Sequence, residues 1–277
     1  MKNNSLVIMA GGASSRMKKS LGRAALDKSV KKAAQKLHKS LIPLGNSGKP
    51  LLHYLLKNAA GAGYSNIYLI TSEENQGFKD FLNDSEDYLG TNVHFAIQHI
   101  PEGREKPLGT ADAILQCLEQ HPTLQETYFT VCNGDNLYSV DALRDLRKER
   151  DAPHATIAYS GSGLGFSDER LAKFAVMDIS SDGYLRNIIE KPGLDEMEQY
   201  RDASGELRIS MNVFSFSGAE IFPYLKNCPI NAKRGEKELP EAVRNAVAGH
   251  AKAVLCYPRS ERLPDLTDAH DIKDFYL

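Results

Sequence analysis

The stretch Leu6-Val7-Ile8-Met9-Ala10-Gly11-Gly12-Ala13-Ser14-Ser15-Arg16-Met17 decides how this chain is read. Its first four residues form an uninterrupted apolar run, the pattern of a strand buried on both faces in a parallel sheet. The run breaks at a glycine pair, where backbone turns tightly and approaches a ligand with no Cβ in the way. Small hydroxyl residues and an arginine come next. Strand, small-residue loop and cation together predict a cradle for a phosphorylated ligand: loop N–H groups face phosphate oxygens and a guanidinium grips two of them. A strand ending in Gly-Gly is also a common plain turn, so the weight falls on the later segments of the chain.

Those segments alternate. From Pro50 apolar residues recur with helical period until Gly61 and Gly63, which read as the helix's C-terminal cap, and residues 67–70 read as a second strand. Strand, helix, strand implies a parallel pair joined by a right-handed crossover. Helices over 78–82, 111–119 and 140–149 then alternate with strands over 93–97, 128–132 and 155–159. Past residue 160 the pattern changes. Segments 175–179 and 185–190 flank Ser181-Asp182-Gly183 as a hairpin, 209–216 reads as one strand, and helices over 219–224 and 239–247 precede a last strand over 253–257. The fold class is α/β, a Rossmann-like doubly wound sheet with a mixed second half, in which ligands bind beyond the carboxyl ends of the strands. No repeat, low-complexity tract or linker interrupts it, which predicts a single domain over 1–277.

Composition narrows the field. A hydrophobic fraction of 42% and a charged fraction of 25% are those of an ordinary globular protein, and a formal charge of -2 argues against a dedicated nucleic-acid binder. Cys117, Cys132, Cys228 and Cys256 are scattered, without a Cys-x-x-Cys pair, and read as buried thiols of a reducing compartment. Neither a signal peptide nor a run approaching ~18 apolar residues is visible, so the expected location is the cytoplasm and no membrane partner is expected.

Residues 18–37 stand apart. Leu26, Val30, Ala33 and Leu37 share a face at helical spacing, and the many lysines and arginines are opposed by Asp27 alone. The segment reads either as a solvated helix or as a basic lid over an anionic ligand.

Taken in order, these motifs resemble the sugar-1-phosphate nucleotidyltransferase family. The matches are Ala10-Gly11-Gly12 with Arg16, Lys39-Ser40-Leu41-Ile42-Pro43, Lys49-Pro50-Leu51, Gln98, Leu108-Gly109-Thr110-Ala111, Gly134-Asp135, Glu190-Lys191-Pro192 and Arg234-Gly235-Glu236 with Leu239. The resemblance implies a nucleotide-binding half, 1–150, interrupted by the insertion 18–37, and a sugar-binding half, 151–277. It implies catalytic roles for Arg16, Lys39 and Asp135, and nucleotide contacts from Ala10, Gly11, Gly12, Gln98, Gly109 and Thr110. Gly134, Glu190, Lys191 and Asn212 would meet the sugar phosphate. The chain departs from the family pattern in four places: a longer gap between Arg16 and Lys39, His38 where proline is usual, no glycine after Asn212, and no tryptophan in the late turn Leu263-Pro264-Asp265-Leu266-Thr267.

The implied chemistry suits the residue types. A sugar 1-phosphate is already a nucleophile near neutral pH, its second pKa being about 6, so no strong general base is needed. Two polyanions must be brought together and charge on the α-phosphoryl group and departing pyrophosphate stabilised, which is work for a guanidinium fork and an ammonium point charge. Asp135, just past a strand end, suits Mg2+, which takes one or two protein carboxylates and fills its shell with water and phosphate oxygens. Asp265 is the expected second ligand and Asp268 its competitor. The expected partners are a nucleoside triphosphate, with a pyrimidine slightly favoured by the Gln98 amide, and a sugar 1-phosphate. A homo-oligomer is left open. Other phosphate acceptors, such as a polyol phosphate or phosphocholine, and a non-catalytic nucleotide binder are the competing readings. A nucleotide-sugar-using glycosyltransferase would show Asp-x-Asp where Asn133-Gly134-Asp135-Asn136 stands, and a dinucleotide oxidoreductase would show Gly-x-Gly-x-x-Gly.

Overall fold

The computed structural model describes residues 3–12, 14–45, 47–83 and 90–275; Ala13 of the glycine loop lies outside them. One ten-stranded sheet runs through the chain in the order β3-β2-β1-β4-β9-β5-β8-β6-β7, with β10 on the remaining edge of β5. The first four strands are β1 (Ser5–Met9), β2 (Asn66–Thr71), β3 (Asn92–Ile97) and β4 (Tyr128–Asn133), all parallel. The helices of this half are α1 (Ser15–Ser20), α2 (Lys28–Lys36), α3 (Leu51–Ala62), α4 (Gln76–Asn83), α5 (Thr110–Gln120) and α6 (Val140–Asp145). Alternation along β1 explains its apolar run. Leu6 and Ile8 join the layer that holds Leu52, Leu55 and Leu143 of α3 and α6, whereas Val7 joins the layer of Ile114 and Leu118 on α5. Both faces are buried, which is why Leu6 to Met9 are apolar without interruption.

The chain steps outward from β1 to β2 to β3, then returns to lay β4 against the free edge of β1. That reversal is the topological switch point, where the loops after two neighbouring strands diverge and leave a crevice. The loops here are Ala10-Gly11-Gly12 after β1 and Gly134-Asp135-Asn136 after β4. Gly134 keeps them close. Its N–H donates to Met9 O (2.9 Å), and a Cβ at this position would lie 3.0 Å from the same oxygen.

The second half is built on β5 (His154–Ser160), β6 (Ala175–Ile179), β7 (Leu185–Glu190), β8 (Arg208–Ser210), β9 (Phe214–Ser217) and β10 (Val254–Arg259). Three one-turn helices, α7 (Gly161–Leu164), α8 (Asp168–Leu171) and α9 (Leu194–Met197), lie between strands, and α10 (Gly218–Lys226) and α11 (Leu239–Gly249) cover the α5 face. The hairpin at Ser181-Asp182-Gly183 forms between β6 and β7, with Gly183 at φ 87°.

Four sequence expectations are corrected. The strand over 209–216 is broken into β8 and β9 at Met211-Asn212-Val213, where Asn212 adopts a left-handed backbone (φ 52°). The break has a topological use: β9 pairs with β4, and β8 pairs with β6, so the β6–β7 hairpin lies past the carboxyl end of β4. The helix expected through 140–149 stops at Asp145, and the basic segment is two short helices, not one. Leu21 and Ala24 are buried in the connection, and Leu26, Val30 and Leu37 pack against the core. Gly63 (φ 93°) caps α3 while Gly61 sits inside it. All four cysteines are buried free thiols, and among the described residues no helix is long and apolar enough to cross a membrane.

Candidate active site

The site grows from the β1 loop. The N–H of Ala10 is still in the sheet, donating to Ile70 O (2.8 Å), and among the described residues no acceptor takes the N–H groups of Gly11 and Gly12. Among the described residues other than its chain neighbours, nothing stands within 4 Å of where a Cβ on Gly12 would be. Ser14 comes next among the described residues, with a left-handed backbone (φ 53°), and starts α1, which carries Arg16 on its exposed first turn. The Ser14 hydroxyl accepts from the N–H of Lys39 (3.1 Å), tying the glycine loop to the 3-10 turn Lys39–Leu41 across the whole insertion.

His38 caps that turn. Its Nδ1 lies 2.7 Å from Ser40 Oγ and accepts from Ser40 N (3.2 Å), and its ring packs on Phe78 at 5.3 Å. Its backbone, φ -62° and ψ 146°, lies in the region that proline also adopts. Burial, with Lys39 beside it, pulls the imidazole down to about 4, so it is neutral at physiological pH.

Lys39 reaches across to Asp135, and the two form an ion pair at the switch point. Asp135 uses Oδ2 for this contact, and among the described residues no donor reaches its Oδ1. Asp265 is brought alongside by a short bridge between Asn136 and Asp265, with Leu266 N–H donating to Asp135 O (2.8 Å). Its carboxylate accepts from Asn136 Nδ2 (3.0 Å), Thr267 Oγ1 (2.6 Å) and Arg170 Nη2 (3.2 Å). Burial, followed by the neighbouring Asp135 charge, pushes its pKa above the usual carboxylate range. Asp268 is turned away into its own loop, its carboxylate accepting from His270 N–H (2.8 Å). A buried carboxylate, Asp265, beside a second, Asp135, that keeps one oxygen open suits a divalent cation of the oxygen-preferring kind. Among the described residues no group of three or more His, Cys, Asp and Glu forms a denser metal cage.

The opposite wall comes from the second half. Glu190 ends β7 and pairs with Ala175, which pairs with Ser210, two residues before Asn212. Burial raises the Glu190 carboxyl, opposed by Lys191, which is exposed with φ 50°. Among the described residues the only non-glycine residues with positive φ are Ser14, Lys191 and Asn212, one in each of three segments flanking the switch point. Such conformations persist where surrounding structure holds them, and they cluster at functional sites.

Another side of the crevice is closed by the loop before α5. Gly109 (φ 117°) lies so close to the backbone of Lys237 that a Cβ would stand 2.4 Å from Lys237 O. Lys237 N–H donates to Leu108 O (2.6 Å), and Ala111 N–H to Lys237 O (3.0 Å). The Thr110 oxygen accepts from Leu239 N–H (2.8 Å), so this hydroxyl clamps α11 to the loop. Gln98, at the end of β3, donates through Nε2 to Gly109 O and Asp112 Oδ2.

The structure therefore gathers Gly11, Gly12, Lys39, Gly134, Asp135 and Asp265 at the switch point. Arg16 projects from α1 without a carboxylate partner among the described residues. Two residues were missed in the sequence. Arg170, on the one-turn helix α8, bridges Asp265 and Asp271 (3.1 Å) and stacks on Phe166 at 4.2 Å. Asp112 orders Gln98. The acid in the first turn after Gly109-Thr110 was a visible signal for Asp112; nothing in the flanking sequence marks Arg170.

Fold and crevice together define an α/β protein of the doubly wound kind, with a ligand site placed at the topological switch point. The model of the nucleotidyl transferase family matches residues 5–261, and the chain belongs to that family. It is similar to the bifunctional protein GlmU of Methanococcus vannielii, 25% identical over 209 residues that cover 76% of this chain and 42% of that protein. It is also similar to glucose-1-phosphate adenylyltransferase of Koribacter versatilis, 21% identical over 180 residues, 63% of this chain and 42% of the relative. The chain thus spans about two fifths of the length of these curated relatives. A crystal structure of UDP-glucose pyrophosphorylase complexed with UDP-glucose shares the fold, with a TM-score of 0.72 over 98% of this chain and 96% of that one at 16% identity.

Proposed function

We propose that this chain is an enzyme that transfers a nucleotidyl group from a nucleoside triphosphate to a sugar 1-phosphate, releasing pyrophosphate. The observation that carries the reading is the convergence at the β1/β4 switch point of two open glycine N–H groups, the Lys39–Asp135 pair and the buried Asp265. The acceptor phosphate oxygen attacks the α-phosphorus, the α–β phosphoanhydride bond breaks, and the electron pair leaves with pyrophosphate. The loop N–H groups and Arg16 hold the triphosphate, and Lys39 places a positive charge where negative charge develops. His38 takes no proton in this scheme, being buried and neutral. Glu190, Lys191 and Asn212 supply a carboxylate, an ammonium and an amide for sugar hydroxyls and the acceptor phosphate.

Asp135 and Asp265 are the residues that would hold Mg2+, which supplies charge neutralisation on the triphosphate when bound. A pyrimidine nucleotide agrees with the uridine nucleotide named in the structural neighbour, and the adenylyltransferase relative is the counterweight. The test is pyrophosphate release from UTP, dTTP, CTP, ATP and GTP against a panel of sugar 1-phosphates, with and without Mg2+. Magnesium-dependent release with a sugar 1-phosphate supports the reading. Release only with a polyol phosphate or phosphocholine would replace the acceptor class.

A further inference from the structure

Gln98 is 7% exposed, with its backbone N–H on Thr71 O (2.9 Å). Both hydrogens of its side-chain amide are taken, since Nε2 donates to Gly109 O (2.9 Å) and to Asp112 Oδ2 (3.0 Å). A carbonyl and a carboxylate only accept, so turning the amide end for end would set oxygen against oxygen. Asp112 is itself anchored in the first turn of α5. Its Oδ2 also accepts from Gln116 Nε2 (2.9 Å), and Gln116 Oε1 accepts from His99 N–H (2.8 Å). What remains of Gln98 is Oε1. It lies 3.5 Å from where a Cβ on Gly11 would stand, and among the described residues no donor reaches it. The side chain therefore offers the crevice one fixed acceptor and no donor.

We propose that Asp112 is a specificity-positioning residue, holding Gln98 as an acceptor that selects a nucleobase with a ring N–H at its pairing edge. Uracil, thymine and guanine have one; cytosine and adenine present an unprotonated ring nitrogen there, acceptor against acceptor. The inference rests on the reading of Gln98 as a base contact. A buried acceptor left without its donor is a strong basis for rejection, because the penalty falls on the wrong base alone.

The experiment measures Kd and kcat/KM for UTP, dTTP, GTP, CTP and ATP on the wild type and on Gln98→Ala, Asp112→Ala, Asp112→Asn and the Gln98→Ala/Asp112→Ala double variant. The wild type is expected to favour at least one of UTP, dTTP and GTP over both CTP and ATP by at least about tenfold. Asp112→Ala should collapse that ratio through Kd and KM, with kcat at saturating nucleotide changed less than about threefold. Asp112→Asn, whose amide oxygen can take the place of Oδ2, should restore it. The double variant should be no less selective than Gln98→Ala. Should Asp112→Ala fail to fold by thermal melting, Asp112→Leu keeps the volume and tests the same acceptor. Unchanged selectivity in Gln98→Ala would remove the base-contact reading itself. Selectivity lost in Gln98→Ala but kept in Asp112→Ala would overturn the positioning role alone, and a wild type that prefers CTP or ATP would overturn the choice of base.

Discussion

Lys39 and Asp135 meet across ninety-odd residues of chain because two different loops leave the sheet at neighbouring strands, and each side chain has one job in the proposed reaction. Lys39→Ala should lower turnover at least ~100-fold if its charge is felt in the transition state. Asp135→Ala should abolish turnover with thermal unfolding little changed; normal activity in either variant contradicts its role. Gly134→Ala is a different kind of test. Its new Cβ would press on Met9 O at 3.0 Å and Ala10 Cβ at 3.3 Å, both part of the β1 end, so neither neighbour swings away. A loss of about 1–3 kcal/mol is expected in urea unfolding, together with impaired turnover. Much of this was legible in the sequence, because glycine beside aspartate after an apolar strand combines a backbone need with a chemical one. Arg170 was not legible. It matters through Asp265 and Asp271, about a hundred residues away, and no local pattern encodes that pairing.

At the scale of elements, short apolar strands and amphipathic helices of the first half were readable from period alone, since parallel strands are buried on both faces. The strand over 209–216 was not, for its pattern continues through the point where Asn212 turns left-handed. What breaks it is pairing: Tyr138 donates its hydroxyl hydrogen to Met211 O (2.6 Å), and the strand changes neighbours from β6 to β4 there. The turn Lys39–Leu41 gives a prediction of its own. Its cap, His38, has a folded pKa of about 4 against an ordinary 6.5, so between those values the unfolded chain binds more protons. Stability is therefore complete above pH 6.5 and declines as pH falls toward 4. His154, pulled down to about 3 by burial and Arg150, acts in the same direction. His38→Gln should reduce the acid slope of unfolding free energy by about one proton, roughly 1.4 kcal/mol per pH unit, over pH 4.5–6. Urea titrations across that range measure it, and an unchanged slope would place the imidazole in contact with solvent.

At the scale of the whole molecule, the chain wraps one sheet so that the glycine loop and its cations face a wall made by the β6–β7 hairpin. The basic insertion is part of that body. Its apolar residues dock on the core, and Ala269 N–H donates to Ser20 Oγ (2.9 Å), joining α1 to the turn that carries Asp265. The sequence showed the insertion's charge but not its docking, because contact with the last thirty residues is invisible in local period. In the proposed reaction the switch point joins a triphosphate to a sugar 1-phosphate through Lys39, Asp135 and Asp265. The decisive assay is pyrophosphate release with UTP or dTTP and a sugar-1-phosphate panel, run on the wild type and on Asp135→Ala with and without Mg2+. Release from the wild type should require both the sugar 1-phosphate and Mg2+, and the variant should release none. Nucleotide binding with no release for any sugar 1-phosphate, or equal release from Asp135→Ala, would contradict the proposed chemistry.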